Sequence, residues 1–322
     1  MRRVTTGVLA SLAGALALTL ATGACAAGAG RAAERASTES ETGRAVEVGV
    51  ETGTAPTTTF GVASRTFTFV RSSDRVIRTT VWYPTKGRGG AGATVAPGRF
   101  PVVVFSHGLT AMPTDYRDLV TRWASAGFIV VGPAYPHTSR GVKQFEVLDV
   151  VNQPADASFA LSQVLALDRS SKDGFRGHLN GNRLAAAGHS AGAITTVGLF
   201  ANGRDERLDA GIVLAGNGIG MGSTYAGSPA RLLFIHGDKD PITPYSLGLS
   251  AFDAAPETWP KAFLTLSGQG HIDPYLRRDK SSFRVVAAIT TDFLRWTLYG
   301  DTAAKARLAG DAKGAGRLDS RF

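Results

Sequence analysis

The sequence predicts an α/β fold: a mostly parallel central sheet with helices on both faces, entered through an N-terminal antiparallel hairpin. Three observations predict it. Short, wholly apolar runs recur along the chain, segments of helical spacing separate them, and two runs of alternating character precede them all. Strands buried on both faces read as continuous apolar runs, and their alternation with helices implies a parallel sheet joined by crossovers.

The elements follow in order. Residues 65–70 (RTFTFV) and 78–83 (RTTVWY) alternate polar and apolar, and Arg71-Ser72-Ser73-Asp74 supplies turn residues between them, so the pair reads as a hairpin. Residues 86–99 (KGRGGAGATVAPGR) form a glycine-rich loop. PVVVF at 101–105 is the first buried strand, and FIVV at 128–131 the second. Between them, Tyr116, Leu119, Val120 and Trp123 give residues 114–126 helical spacing. Residues 154–167 read as a helix with proline in its first turn and an apolar face of Phe159, Leu161, Val164 and Leu165. Further apolar runs at 184–187, 211–215, 232–235 and 262–266 complete the sheet, and 289–299 reads as the last helix. Phe159, Trp123 and Phe293 sit at helical spacings and are expected in the core.

Composition sets the domain organisation. At 43% hydrophobic and 19% charged, the 322-residue chain can bury one large core. Arg2 and Arg3, an apolar run from Val8 to Leu20 and the small residues at 21–26 read as a secretory leader, not a membrane span. Ala24-Cys25-Ala26 fits ordinary cleavage. Gly23-Ala24-Cys25 resembles a bacterial lipobox, which would leave Cys25 as a lipidated membrane tether, although Thr22 stands where leucine is usual. The expected organisation is a leader at 1–25, a flexible linker at 26–59, a globular domain at 60–305 and a tail at 306–322. The chain is expected to be exported, either released or lipid-anchored at the outer face of the cell membrane, and monomeric. Cys25 is the only cysteine, so no disulfide staples the domain.

Charge excludes more than it suggests. The leader's two arginines account for two of the nine formal positive charges, leaving +7. The basic residues are scattered, with no cluster interleaved with aromatics, so nucleic-acid binding is not expected. No metal-binding motif, paired cysteine, Walker loop or dinucleotide loop is present, so neither metal nor cofactor is expected.

In a parallel sheet, ligands bind at the carboxyl ends of the strands. The residues there are Ser106-His107-Gly108-Leu109-Thr110, Gly188-His189-Ser190-Ala191-Gly192, His236-Gly237-Asp238-Lys239-Asp240 and Ser267-Gly268-Gln269-Gly270-His271. A serine hydroxyl is a weak nucleophile that needs a base, and histidine titrates near operating pH. A carboxylate holds the imidazole in the required tautomer, and backbone N–H groups stabilise the oxyanion. Gly188 and Gly192 leave room for a sharp turn around Ser190. The order Ser190, then an aspartate, then His271 is serine, acid, histidine. Asp238 and Asp240 both follow a strand and compete for the acid. Of the other histidines, His178 lies in a polar loop at the opposite edge, His236 is expected to pack, and His137 lies in a loop that could line the pocket. His107 and His189 are expected to shape their loops. Tyr135, His189 and Tyr245 are the candidates for lining a substrate groove.

Several motifs together resemble one superfamily: TTVWYPT at 79–85, VVVFSHGLTA at 102–111, NQPADASFAL at 152–161, GHSAG at 188–192, HGDKDPITP at 236–244 and GQGHIDP at 268–274. From about residue 65 to 305 the chain is similar to the α/β-hydrolases. Within them it resembles the secreted bacterial serine esterases of the dienelactone-hydrolase-like and platelet-activating-factor-acetylhydrolase-like group, and the polyester-degrading cutinase-type lipases. The resemblance implies Ser190 as nucleophile, Asp240 rather than Asp238 as acid, His271 as base, and the N–H groups of Leu109 and Ala191 as oxyanion donors. It implies an ester substrate: a small molecule, a lipid or a polyester. Dienelactone hydrolases carry cysteine where this chain has Ser190, and the cutinase-type lipases carry a disulfide this chain cannot form. An acyltransferase of the envelope and a non-catalytic surface binding protein are the alternatives on the same scaffold. The connections 136–153 and 216–230 are the roomy ones, and neither reads as an amphipathic lid.

Overall fold

The structure is a computed structural model that describes residues 54–221 and 224–322. The leader, Cys25 and most of the expected linker lie outside the described residues. In chain order the elements are β1 (Gly61–Ser72), β2 (Arg75–Thr85), β3 (Phe100–Ser106), α1 (Arg117–Ser125), β4 (Ile129–Ala134), α2 (Gln153–Ala166), β5 (Leu179–His189), α3 (Ala191–Gly198), β6 (Leu208–Leu214) and β7 (Arg231–Gly237). They are followed by α4 (Tyr245–Ala254), β8 (Lys261–Leu266), α5 (Asp273–Leu276), α6 (Ser281–Tyr299), α7 (Thr302–Asp311) and β9 (Gly316–Arg321).

One nine-stranded sheet has the order β1-β2-β4-β3-β5-β6-β7-β8-β9. The strands from β4 through β8 in that order run parallel to one another. β2 is antiparallel to both β1 and β4, so the expected hairpin forms one edge, and β9 runs antiparallel to β8 at the other. This is the α/β-hydrolase fold.

Side chains alternate across the strands, which divides the core into two layers. Val102, Val104, Leu184, Ala186, Leu232 and Phe234 face one layer, which α2, α3 and α4 cover. Val103, Phe105, Ala185, Ala187, Leu233 and Ile235 face the other, covered by α1 and α6. Trp123 of α1 is completely buried there, and its indole N–H donates to Thr290 Oγ1 of α6 at 3.0 Å. Truncating such a residue costs about 3–5 kcal/mol, so this contact is a main tie between the two helices and the sheet.

Local chemistry sets the element ends. Pro154 stands in the first turn of α2, where its missing N–H costs nothing. Gly300 ends α6 in the left-handed conformation at φ 71°, and Asp301 then caps α7 by accepting from the Ala304 N–H at 2.9 Å.

Two expectations are corrected. The helix expected at 289–299 is α6; it begins at Ser281, eight residues earlier, because Phe283 and Val286 extend its buried face, and it is not the last, since α7 follows it. Residues 306–322 are no tail: they finish α7 and add β9 to the sheet. The sequence GRLDSR carries little apolar signal because an edge strand is largely solvated, and only Leu318 of it packs on the core.

The hairpin is pinned to the body by charge. Arg75, buried at the turn, donates from Nη1 and Nη2 to the two carboxylate oxygens of Asp149 at 2.8 and 3.0 Å, and from Nε to Asp156 Oδ1 at 2.8 Å. Its Nη2 also pairs with Asp156 Oδ2, and Arg71 adds a bond to Asp156 Oδ1 at 2.9 Å. Burial favours the neutral Asp149 acid, but the bonds from Arg75 and Asn152 outweigh it and hold the carboxyl below its ordinary range.

Candidate active site

The carboxyl edge of the sheet carries unusual backbone. Among the described residues, Thr110, Ser190 and Ala215 are the non-glycine residues with positive φ, and they follow β3, β5 and β6. Such conformations cost about 1–3 kcal/mol each and collect where a site holds its groups in place.

Ser190 has φ 58° and ψ −121° between β5 and α3. Its N–H donates to the Leu214 carbonyl at 3.0 Å, which fixes the turn against the neighbouring strand. The flanking glycines are required by contact. A Cβ on Gly188 would lie 2.1 Å from the Gly192 carbonyl oxygen, and one on Gly192 would lie 2.0 Å from the Ser106 carbonyl oxygen. The turn therefore presses against the end of β3 and leaves Ser190 half-exposed.

Asp240 lies just beyond β7 with its side chain closed to solvent. Its Oδ1 accepts from the N–H groups of Ile242 and Thr243 at 2.8 and 2.9 Å. Its Oδ2 lies 2.7 Å from His271 Nδ1 and 3.3 Å from His236 Nε2. Burial raises the carboxyl's affinity for a proton, but the bonds from His236 and His271 outweigh it and hold the group well below the usual carboxylate range. It is an anion at any working pH. Asp238, the competing aspartate, is exposed and accepts instead from the Gly268 N–H at 2.7 Å.

His271 follows β8 and is buried. A carboxylate can only accept, so His271 Nδ1 carries a proton, and in the neutral ring Nε2 is the bare nitrogen. Among the described residues, neither Nε2 nor the Ser190 hydroxyl bonds another group. The contact that brings His271 to the serine turn runs through His189, whose Nε2 is 2.8 Å from the His271 carbonyl oxygen and whose ring centroid is 4.7 Å from that of His271.

Leu109 and Ala191 supply two N–H groups beside this turn, and among the described residues neither donates to a protein acceptor. The Leu109 loop is held by the Thr110 N–H bonded to the Thr138 carbonyl at 2.8 Å and the Arg140 N–H bonded to the Ala111 carbonyl at 3.2 Å. A Cβ built on Gly108 would stand 3.3 Å from Ser190 Cβ, so the loop lies directly against the serine.

Two of the groove candidates are placed elsewhere. The Tyr135 ring is fully buried, with its hydroxyl 2.7 Å from Ser106 Oγ, so it props the strand ends from inside. His189 is also buried, between Tyr116 and His271, because the residue before a strained elbow turns into the core. Burial pushes its pKa well below the ordinary imidazole value. Tyr245 is half-buried, edge-on to His236 and Phe263, and its hydroxyl lies 2.6 Å from Thr265 Oγ1. His137 is buried with Nδ1 3.3 Å from the Gln144 carbonyl, and His178 bonds the Gly98 carbonyl on the far edge. His236 does more than pack: it is the second histidine on Asp240.

Sequence reasoning missed Tyr116, whose hydroxyl bonds both the Gly108 N–H at 3.0 Å and His189 Nδ1 at 2.8 Å. It also missed Gln153, which bridges Thr138 and Thr195 and so joins α2 to α3 beside the elbow. Tyr116 carried only a helical-spacing signal, and Gln153 only its place in the motif NQPADASFAL at 152–161.

Residues 92–217, from the loop before β3 to just past β6, match the family model described as Chlorophyllase. No curated protein matches the chain. The match takes in the Leu109 loop and the Ser190 turn and ends before Asp240 and His271. Sheet order and serine turn give the chain the α/β-hydrolase fold, and residues 92–217 are similar to a family whose description points to carboxylic ester hydrolysis.

Proposed function

We propose that this protein is an exported serine hydrolase that cleaves carboxylic esters through an acyl-enzyme on Ser190. The observation that carries the proposal is the His271–Asp240 pair at 2.7 Å, seated against the strained Ser190 turn through His189. Asp240 fixes the proton on His271 Nδ1, so Nε2 is the nitrogen that takes the Ser190 proton as Oγ attacks the ester carbonyl. The Leu109 and Ala191 N–H groups receive the developing oxyanion. Collapse of that intermediate breaks the ester bond, and Nε2 returns the proton to the departing alkoxide. Water then repeats the cycle on the acyl-enzyme, releasing the acid.

The test is hydrolysis of p-nitrophenyl acetate, butyrate and octanoate by the purified protein beside Ser190→Ala. Loss of several orders of magnitude in the variant is expected, and the chain-length profile sizes the acyl site. Activity unchanged in Ser190→Ala would remove the serine from the mechanism. Transfer of the acyl group to an added alcohol in preference to water would identify an acyltransferase instead.

A further inference from the structure

The buried polar groups beneath Ser190 form a directed chain. His189 Nε2 faces the His271 carbonyl oxygen at 2.8 Å, and a carbonyl only accepts, so Nε2 carries the His189 proton. Complete burial keeps the ring neutral, which leaves Nδ1 as an acceptor. The Tyr116 hydroxyl, 2.8 Å away, must then donate to Nδ1. Its lone pair accepts from the Gly108 N–H at 3.0 Å. Donation thus runs one way: Gly108 to Tyr116 to His189, and from the opposite side of the same imidazole to His271.

A second histidine holds Gly108 from the other side. The Tyr135 N–H donates to His107 Nε2 at 3.2 Å, so the His107 proton sits on Nδ1 and donates to the Gly108 carbonyl at 2.8 Å. Ser139 Oγ lies 2.9 Å from the same Nε2. The Gly108 carbonyl and the Leu109 N–H belong to one planar peptide unit and point in opposite directions. Fixing the carbonyl therefore aims the Leu109 N–H.

Packing alone does not explain these groups. The Tyr116 ring already packs on Phe105 at 4.8 Å between centroids, and a phenylalanine would keep that contact. Burying a hydroxyl and an imidazole is favourable only when every polar atom finds a partner, and here the partners lie in three separate loops. One precedes the oxyanion donor, one precedes the nucleophile, and one holds the base.

We propose that Tyr116 and His189 are positioning residues, a hydrogen-bonded strut that sets the oxyanion loop and the His271 loop at a fixed distance across Ser190. The inference rests on the serine-hydrolase reading above. The strut touches no substrate. It acts on the transition state by holding the Leu109 N–H and His271 where the oxyanion and the Ser190 proton will be, so its loss lowers kcat and leaves KM alone.

The experiment compares the full exported chain with Tyr116→Phe, His189→Gln and the double variant, using p-nitrophenyl butyrate, the rate of Ser190 labelling by a fluorophosphonate, and thermal melting. His189→Gln keeps an amide that can reach the His271 carbonyl. Tyr116→Phe is expected to lower kcat and the labelling rate about tenfold, a smaller loss than deletion of an oxyanion donor itself, with KM within about twofold and the melting temperature lowered by several degrees because the Gly108 N–H and His189 Nδ1 lose their partner while the protein stays folded at assay temperature. Because the two residues act through one chain, the double variant is expected to lose little more than the worse single. A Tyr116→Phe enzyme with wild-type kcat and labelling rate overturns the strut, as does a multiplicative loss in the double variant. If the wild-type chain shows neither esterase activity nor Ser190 labelling, the serine-hydrolase reading has failed and the strut falls with it. Rapid labelling of wild type and variants alike leaves that reading standing and removes only the strut.

Discussion

His271 Nδ1 lies 2.7 Å from Asp240 Oδ2, and the same carboxylate accepts from the N–H groups of Ile242 and Thr243 and lies 3.3 Å from His236 Nε2. The acid is thus locked in position by groups that have no part in proton transfer. In the proposed mechanism its task is to dictate which nitrogen of His271 carries the proton.

Asp240→Asn tests that task. An amide can occupy the same space but can present N–H to His271 Nδ1, which moves the proton to Nε2 and blocks it as a base. We expect kcat to fall by about 10³–10⁴ with KM little changed, as for other triads whose acid is replaced by its amide. Steady-state ester hydrolysis at pH 8 measures it. A loss below tenfold would mean that the imidazole is oriented without Asp240.

His107 predicts a pH dependence of stability. Burial holds its pKa down from 6.5 to about 4. The unfolded chain therefore binds the proton more tightly, and the contribution of neutral His107 is fully present above about pH 6.5 and is lost as pH falls toward 4. A displacement of that size corresponds to about 3 kcal/mol. Asp311 pulls the other way, since burial and the neighbouring Asp292 charge raise it to about 6 and make it favour the folded state as the acid. The total curve is therefore not diagnostic, whereas the difference between wild type and His107→Asn is. Urea unfolding from pH 7 to 4 should show the wild-type advantage shrinking by about 3 kcal/mol. A difference that stays flat across that range would mean that His107 is not buried as a neutral ring.

Much of the fold was legible because it obeys simple periods. PVVVF and FIVV announce strands covered on both faces, and β3 and β4 sit in the middle of the sheet. β9 was illegible for the opposite reason, since GRLDSR faces solvent at an edge and needs no apolar pattern. At the site, the strained turn at Ser190 was readable from the motif, because a tight serine turn demands glycines at fixed spacing. The choice between Asp238 and Asp240 rested on resemblance, and the structure separates them by a single hydrogen bond to His271. Tyr135 and His189 were misplaced because a residue next to a functional loop can point inward as readily as outward. The Tyr116 contact with His189 spans 73 positions, and no local pattern encodes a partner at that distance.

The glycines of the serine turn give a sharp steric prediction. Gly192→Ala would place a methyl 2.0 Å from the Ser106 carbonyl oxygen, so the turn must move away from β3 and carry Ser190 with it. Overpacking of this kind costs about 1–3 kcal/mol, and near-complete loss of activity should accompany it. Gly181→Ala is the control, because its methyl would meet only Leu165 at 3.9 Å. Melting temperature and fluorophosphonate labelling of Ser190, measured on both, should separate them. Normal labelling in Gly192→Ala would show that the turn tolerates displacement.

Arg75 supplies the last prediction. Its guanidinium bonds Asp149 and Asp156 together, and Asp156 is completely buried. Arg75→Met removes the cation but leaves both carboxylates in place. Breaking a buried pair in this way costs about 3–5 kcal/mol, because a charge is stranded away from water. Arg71 softens the loss only at Asp156, where its bond is 2.9 Å long. Replacing the arginine and both aspartates at once, with Met at 75 and Leu at 149 and 156, removes the stranded charges as well. Hydrophobic replacement of a whole buried ion pair is often neutral. Urea unfolding of the single and triple variants should therefore show a large loss followed by recovery of most of it. If the triple variant is no more stable than Arg75→Met, the network holds the hairpin through its specific geometry and not merely by cancelling its own charge.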